Sequence, residues 1–166
     1  MAGLIVCLAG ACTSVSGAED VWSRPPRCTA EGELGLSLGH GETDFTALDR
    51  DKLPPVFEGG QGGHHFFLAL RLEGGDFSLY DSVAARFEAV YQINDGACAG
   101  GAIGTAAAEC LLSMGRRDVV LKSGEEAGLL LEVDSVPAGN WTLGAMVRDP
   151  CGRTATTQHK ALHLSE

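Results

Sequence analysis

The stretch HHFFLALRLE, His64–Glu73, indicates the fold class of this chain. Its large apolar side chains fall at every second position: Phe66, Leu68, Leu70 and Leu72. A period of two is typical of a β-strand that buries one of its faces. We therefore predict a strand at His64–Glu73.

The same alternation recurs at 33–40, 85–94 and 140–148, and three further candidate strands are marked by a polar turn or by β-branched threonines. With 64–73 as strand B, the other predicted strands are A (33–40), C (85–94), D (117–122), E (128–134), F (140–148) and G (154–164). The polar turn at 123–126 favours a hairpin of D with E. A spacing of four between apolar residues in 79–90 would also suit a short helix. Short strands without a convincing amphipathic helix favour an antiparallel sandwich or barrel.

The amino terminus carries an apolar run at 4–9, ahead of the first charged residue, Glu19. Such a run is too short to span a bilayer, which takes about 20 apolar residues, but it suits a secretory signal peptide. A buried strand is the alternative, although its glycine and alanine content favours processing. No lysine or arginine precedes Leu4, which a start codon placed too far downstream would explain.

Two cleavage sites compete within this segment. Residues 8–12 resemble a bacterial lipobox, which predicts lipidation of Cys12, whereas the small residues at 16–18 suit cleavage before Glu19. The predicted domain organisation is a signal peptide over 1–18, a tether over 19–29 and one folded domain over 30–166. We expect export to a bacterial cell envelope, with the protein either lipid-anchored or secreted.

The charge of the chain excludes several classes of partner. Acidic residues number 22 against 12 basic ones, so the net charge is −10. Such a surface repels phosphate backbones and anionic headgroups, which argues against nucleic-acid binding and against polybasic membrane docking. Membrane attachment would therefore require a lipid anchor.

Four cysteines remain once Cys7 and Cys12 are assigned to the export segment. They are Cys28, Cys98, Cys110 and Cys151. In an exported chain an even number of cysteines indicates disulfides, here two. A four-cysteine zinc site is the alternative, but it expects close CxxC pairs, which this sequence lacks.

Two parts of the sequence resemble known families. Residues 137–143 (PAGNWTL) and 147–155 (VRDPCGRTA) resemble the last hairpin of bacterial immunoglobulin-like domains. Residues 39–45, together with Leu48, Leu53-Pro54 and GQGGH at 60–64, are similar to uncharacterised exported bacterial lipoproteins. The resemblance implies an antiparallel immunoglobulin-like β-sandwich of about seven strands. It implies no known activity.

If the seven strands run alternately up and down, their ends sort the cysteines and the long loops. The start of A and the F–G turn share one end, so we predict a disulfide of Cys28 with Cys151, and at the opposite end one of Cys98 with Cys110. The connections 41–63, 95–116 and 135–139 also lie at that opposite end. Long loops are often functional. The candidate binding residues in the first of them are Phe45, Asp49, Asp51 and Gln61.

Histidines at strand ends suggest a metal site. His40, His64, His65 and His163 are all expected near the long-loop end. Imidazole suits zinc or copper, so a cluster of these side chains would form a periplasmic or surface metal-binding site. Surface histidines are more often simply solvated.

Motifs of the common enzyme classes are absent from the sequence, including G-x-S-x-G, H-E-x-x-H, the glycine loop ending in G-K-[ST] and the redox CxxC. We therefore expect a non-catalytic immunoglobulin-like module with a structural or protein-binding role and an unknown protein partner in the envelope. Two alternatives are the metal-binding protein and a hydrolase that uses an unrecognised acidic site.

Overall fold

Alternating side chains build the long strands of this protein. The computed structural model describes Trp22 and residues 24–60, 62–93 and 110–164. The predictions for the signal peptide, Cys12, Gln61 and Cys98 lie outside the described residues. The described strands are β1 (Gly35–His40), β2 (Thr46–Ala47), β3 (Val56–Glu58), β4 (His64–Glu73), β5 (Val83–Ile93), β6 (Cys110–Leu121), β7 (Glu125–Val133), β8 (Gly139–Arg148) and β9 (Thr154–His163).

The described strands form two antiparallel sheets. In the five-stranded sheet, β4 pairs with β1 and β3 along one edge and with β7 along the other. The four-stranded sheet has the order β6-β5-β8-β9. The predicted all-β antiparallel sandwich is therefore confirmed, and its architecture is compatible with an immunoglobulin-like fold.

The core lies between the two sheets, where their inward faces meet. Phe66 of β4, Phe87 of β5 and Trp141 of β8 are almost fully buried. The rings of Phe66 and Trp141 lie edge to face at 6.3 Å, and the indole Nε1 of Trp141 donates to the carbonyl of Pro137. Because both rings sit near the first residues of their strands, they align the same ends of the two sheets.

Two of the three connections predicted to share one end of the sandwich, 41–63 and 135–139, do reach the same end. Most of the third, 95–116, lies outside the described residues, so its position stays a prediction. We call this end the upper end, and it carries the connections 59–63 and 134–138. The turn 41–45 lies beside the middle of β4, where the N–H of Gly41 donates to the carbonyl of Phe67. The lower end carries 28–34, 74–82, 122–124 and 149–153. The interpretation of 79–90 as a helix is wrong, since β5 begins at Val83 and is paired on both edges.

The predicted hairpin of strands D and E is wrong. Their counterparts β6 and β7 pair with β5 and β4, so the turn between them crosses from one sheet to the other. β6 also begins earlier than predicted, at Cys110, because its pairing with β5 continues to Ile93. A β-bulge opposite Ala89 and Val90 accommodates an extra residue there.

Gly115 lets the β6 and β7 edges approach each other closely. A Cβ at this position would overlap the carbonyl oxygen of Glu132 and would contact Val133 at 3.1 Å. Arg117 donates a hydrogen bond of 2.6 Å to the carbonyl oxygen of Leu130 on the same edge. The two sheets are thereby joined along this side.

Two predicted connecting segments have more structure than expected. The first connection, 41–63, contains the short strands β2 and β3, which raise the number of described strands above seven.

The second is the predicted tether, which packs on the domain where it is described. Arg148 donates a hydrogen bond to the carbonyl of Arg24, and the main-chain N–H of Arg27 donates to the carbonyl of Pro150. The guanidinium of Arg86 lies 4.9 Å from the centre of the Trp22 ring.

The lower end is held by a disulfide and by a buried ion pair. Cys28 and Cys151 are bonded across 123 positions of sequence with their Cα atoms 4.5 Å apart, which confirms the predicted pair. Beside it, Arg153 Nε donates to Asp149 Oδ2 at 2.7 Å. This hydrogen bond is the main reason that the pKa of Arg153 is raised. The predicted partnership of Cys98 with Cys110 stays a prediction.

Candidate functional site

The main candidate site is a groove at the upper end, with a volume of about 1090 Å³. It is bounded by the β3–β4 turn, by β6 and by the last residues of β7. The lining residues are Gly59, Gly60, Gly62, Gly63, His64, His65, Met114, Gly115, Arg116, Arg117, Leu130, Glu132, Val133 and Asp134. Small-molecule pockets usually range from roughly 300 to 1,000 Å³, so this groove has room for an extended segment of a larger partner.

Glycines leave the backbone of the β3–β4 turn open to the groove. Gly59 and Gly63 close the turn by an N–H to carbonyl hydrogen bond of 2.7 Å, and Gly62 donates to Gly59 at 2.9 Å. Gly62 has φ +88°, which an L-residue rarely adopts. A Cβ on Gly60 would have no atom within 4 Å. The groove therefore offers peptide groups that a ligand can approach directly.

The side chains of the groove carry both signs of charge. Arg116 lies 3.9 Å from Glu88, and both side chains are about half exposed. On the opposite wall, Glu132 and Asp134 are exposed acids. Met114 and Val133 supply a buried apolar floor. The combination suits a ligand that brings hydrogen-bond donors and acceptors together with some apolar surface.

His64 and His65 alternate across β4 and so have different surroundings. The Nδ1 atom of His64 is buried and has no hydrogen-bond partner among the described residues. His65 stacks on Phe57 with the ring centres 5.7 Å apart and meets the edge of Phe67 at 5.1 Å. Phe57 is 36% exposed, so this aromatic cluster reaches the surface beside the groove.

The predicted convergence of four histidines is wrong. His40 pairs with Leu68, which is four positions along β4 from His64, or about 13 Å at the usual rise of a strand. His163 pairs with Gly139 in the other sheet. Within the described ranges, no three His, Cys, Asp or Glu side chains are grouped so that they could hold a metal ion. Strands that end at the same end of a sandwich can still be far apart sideways, which strand order alone decides.

Three of the four predicted binding residues of the first loop, Phe45, Asp49 and Asp51, do not line the groove. Phe45 lies under the guanidinium of Arg71, 4.2 Å from its ring centre. Asp49 contacts Lys52 at 3.6 Å on the surface. Asp51 has φ +60° and accepts a hydrogen bond from the N–H of Leu162, so it lies against β9. Gln61 is outside the described residues, but Gly60 and Gly62 on either side of it line the groove.

The sequence prediction missed the part of the groove that β6 contributes. Arg116 was assigned to a loop, and neither Arg116 nor Arg117 was selected as a candidate binding residue. The apolar pair Leu112 and Met114 was the available indication, because a spacing of two would have extended strand D backwards. The acids of β7 carried no such indication, since charged residues usually form a solvated face.

Among the described residues, no helix is long and apolar enough to cross a membrane. Comparison of the sequence with protein-family models and with curated proteins found no match.

Proposed function

We propose that this protein is an exported, lipid-anchored module of the cell envelope, whose upper-end groove binds a segment of a protein partner without catalysis. The observation that carries the proposal is the groove itself, with open glycine backbone at 59–63 and charged side chains on two walls. Such a surface favours peptide recognition because it presents main-chain and side-chain hydrogen-bonding groups together.

Export is supported by the disulfide of Cys28 with Cys151. Disulfides persist in oxidising compartments and are rare in the reduced cytosol. The apolar run at 4–9 and the lipobox-like residues before Cys12 support the same compartment and an anchor.

Replacing the lipidation residue tests the anchor. In cells fed labelled palmitate, the wild-type protein is expected to carry the label and to sediment with membranes, whereas Cys12→Ser loses the label and becomes soluble. Cys7→Ser is the matched control and keeps both properties, since Cys7 lies in the apolar run. An unlabelled wild-type protein whose mature form begins at Glu19 would contradict lipidation and leave a secreted protein.

Site-specific crosslinking tests the groove. A photo-crosslinking amino acid is placed at Gly60, where a side chain has open space, and at Ser123, an exposed residue of the lower end. In the native envelope we expect a discrete crosslinked product from position 60 and none from position 123. The added substitution Arg116→Glu should weaken the product at least several-fold, because it reverses a charge of the groove.

Two results would contradict a groove-bound partner. One is the same set of products from positions 60 and 123. The other is a product at position 60 that Arg116→Glu does not change, although the variant is folded. Either outcome would leave the compartment of the protein unaffected, since the palmitate experiment measures that independently.

A further inference from the structure

One edge of the four-stranded sheet has free main-chain groups along much of its length. The N–H of Leu162 donates to the carbonyl of Asp51 at 3.0 Å, outside the sheet, which sets the direction of the groups along β9. In an antiparallel pair the groups of alternate residues point the same way, so Thr154, Thr156 and Gln158 also direct theirs outward. No described residue forms a hydrogen bond with these outward groups.

The β7 edge of the other sheet is covered by β6. Strand β1 of that sheet likewise lies close to β9, but no described residue of β1 forms a main-chain hydrogen bond with β9. β7 is covered at Leu130 by Arg117 and at Glu132 by the close approach of Gly115. It also carries three acids, Glu125, Glu126 and Glu132. Charges and covering side chains are ordinary means of preventing edge-to-edge pairing.

The composition of β9 suits contact with another copy of this chain. The strand TATTQHKALH contains no carboxylate, although the chain has a net charge of −10. Two such molecules repel each other over most of their surface, so contact through a segment without acids is the least opposed. Three threonines favour extended backbone, and Thr154, Thr156 and Gln158 are exposed.

We propose that β9 pairs antiparallel with β9 of a second copy, so that the two four-stranded sheets form one continuous sheet of eight. A strand that pairs antiparallel with itself is self-complementary about a two-fold axis, which is the commonest symmetry of homo-oligomers. A different protein would need an exposed strand of its own, whereas a second copy brings the same free edge.

The free run of β9 defines the register. Asp51 occupies the edge beside Ala161 and Leu162, which leaves Thr154 to Gln158 as the symmetrical open part. The axis therefore passes beside Thr156, which faces Thr156 of the second copy, while Thr154 faces Gln158. Each Lys160 then lies eight positions from the other along the pair, about 27 Å, so that the two ammonium groups are screened from each other.

Solution mass tests the pairing with the exported chain carrying Cys12→Ser. We expect sedimentation equilibrium to give twice the mass of one chain. Thr156→Pro should give the single-chain mass, because proline lacks the outward N–H, and this N–H is not used in the pairing with β8. Thr156→Ala keeps the N–H and should stay dimeric. Circular dichroism establishes whether the proline variant is folded.

A cysteine at the axis provides an independent measurement. Directly opposed residues of a hydrogen-bonded pair have Cα atoms about 5.5 Å apart, within the range of a disulfide. Oxidised Thr156→Cys is therefore expected to form a covalent dimer, and the lower-end control Ser123→Cys is not. The proposal is overturned by a monomeric wild type across the measured concentrations, by a dimer that survives in folded Thr156→Pro, or by equal crosslinking of the two cysteine variants. It does not depend on the groove, which lies on other strands.

Discussion

Replacing Cys28 and Cys151 together by alanine is expected to lower the free energy of unfolding by about 4 to 5 kcal/mol. The disulfide closes a loop across 123 positions of sequence, and in the chain-entropy model so long a loop strongly restricts the unfolded chain. Domains of this size commonly have only about 5 to 15 kcal/mol of stability, so the variant should be near its folding limit. Urea titration of both proteins measures the difference.

Reduction supplies the control for this experiment. In the presence of a strong reductant the wild-type protein loses the same bond, so its unfolding curve should move close to that of the double variant. A difference that persists under full reduction would show that the substituted side chains matter through packing. A loss of under about 1 kcal/mol in oxidising buffer would contradict the chain-entropy estimate.

The second large effect is expected from Asp149→Ala, which should cost about 3 to 5 kcal/mol. The Asp149 side chain has no exposed surface and its Arg153 partner is only 14% exposed. Asp149 also accepts the main-chain N–H of Arg153 at 2.9 Å. Removing the carboxylate leaves a charged guanidinium in a site with little water, and that uncompensated charge is the main cost.

Arg153 spreads this effect across the lower end of the domain. Its guanidinium also donates to the carbonyl oxygens of Glu31 at 2.8 Å and Gly74 at 3.1 Å. It therefore connects the segment before β1, the β4–β5 connection and the β8–β9 turn. Loss of the carboxylate that orients Arg153 should loosen all three, and hydrogen exchange of their amides would report this.

Two further variants distinguish the buried charge from other causes. Glu125→Ala removes the acid of an ion pair with Arg71 in which both side chains are nearly half exposed, and it should cost no more than about 1 kcal/mol. Asp149→Ala combined with Arg153→Met should recover part of the loss, because no charge is left unpaired. Equal losses from Asp149→Ala and Glu125→Ala would contradict the explanation.

Local patterns predicted the long strands well. The strand at His64–Glu73 has the predicted bounds, and β8 differs by one residue, because in each case one face alternates cleanly into the core. The disulfide of Cys28 with Cys151 also followed from strand order, since it needed only the end of the domain at which each cysteine lies. The strand predictions depend on the side-chain pattern within one strand. The disulfide prediction depends only on the alternation of strand direction, which sets the end of the domain at which each cysteine lies.

Predictions about neighbours across the fold were less successful. The turn after β6 predicted a reversal of the chain, but not that β7 would pair with β4 in the other sheet. For the candidate site, the glycine-rich turn was identified, whereas Arg116 and Glu132 were not, because they reach the groove from strands distant in sequence. The predicted histidine cluster was also wrong, because the positions of its strands across the sheets were not predictable from local pattern.

The sequence by itself therefore determined an all-β chain, the approximate strands, and the end of the domain that the connections 59–63 and 134–138 share. Tertiary structure alone decided the assignment of β6 and β7 to separate sheets, the groove between them, and the free edge of β9. The physical reason is that alternation records which face of a strand is buried, whereas partners are selected by packing among residues far apart in the chain. Gly115 shows this at one position, since only the neighbouring carbonyl of Glu132 explains why a side chain is excluded there.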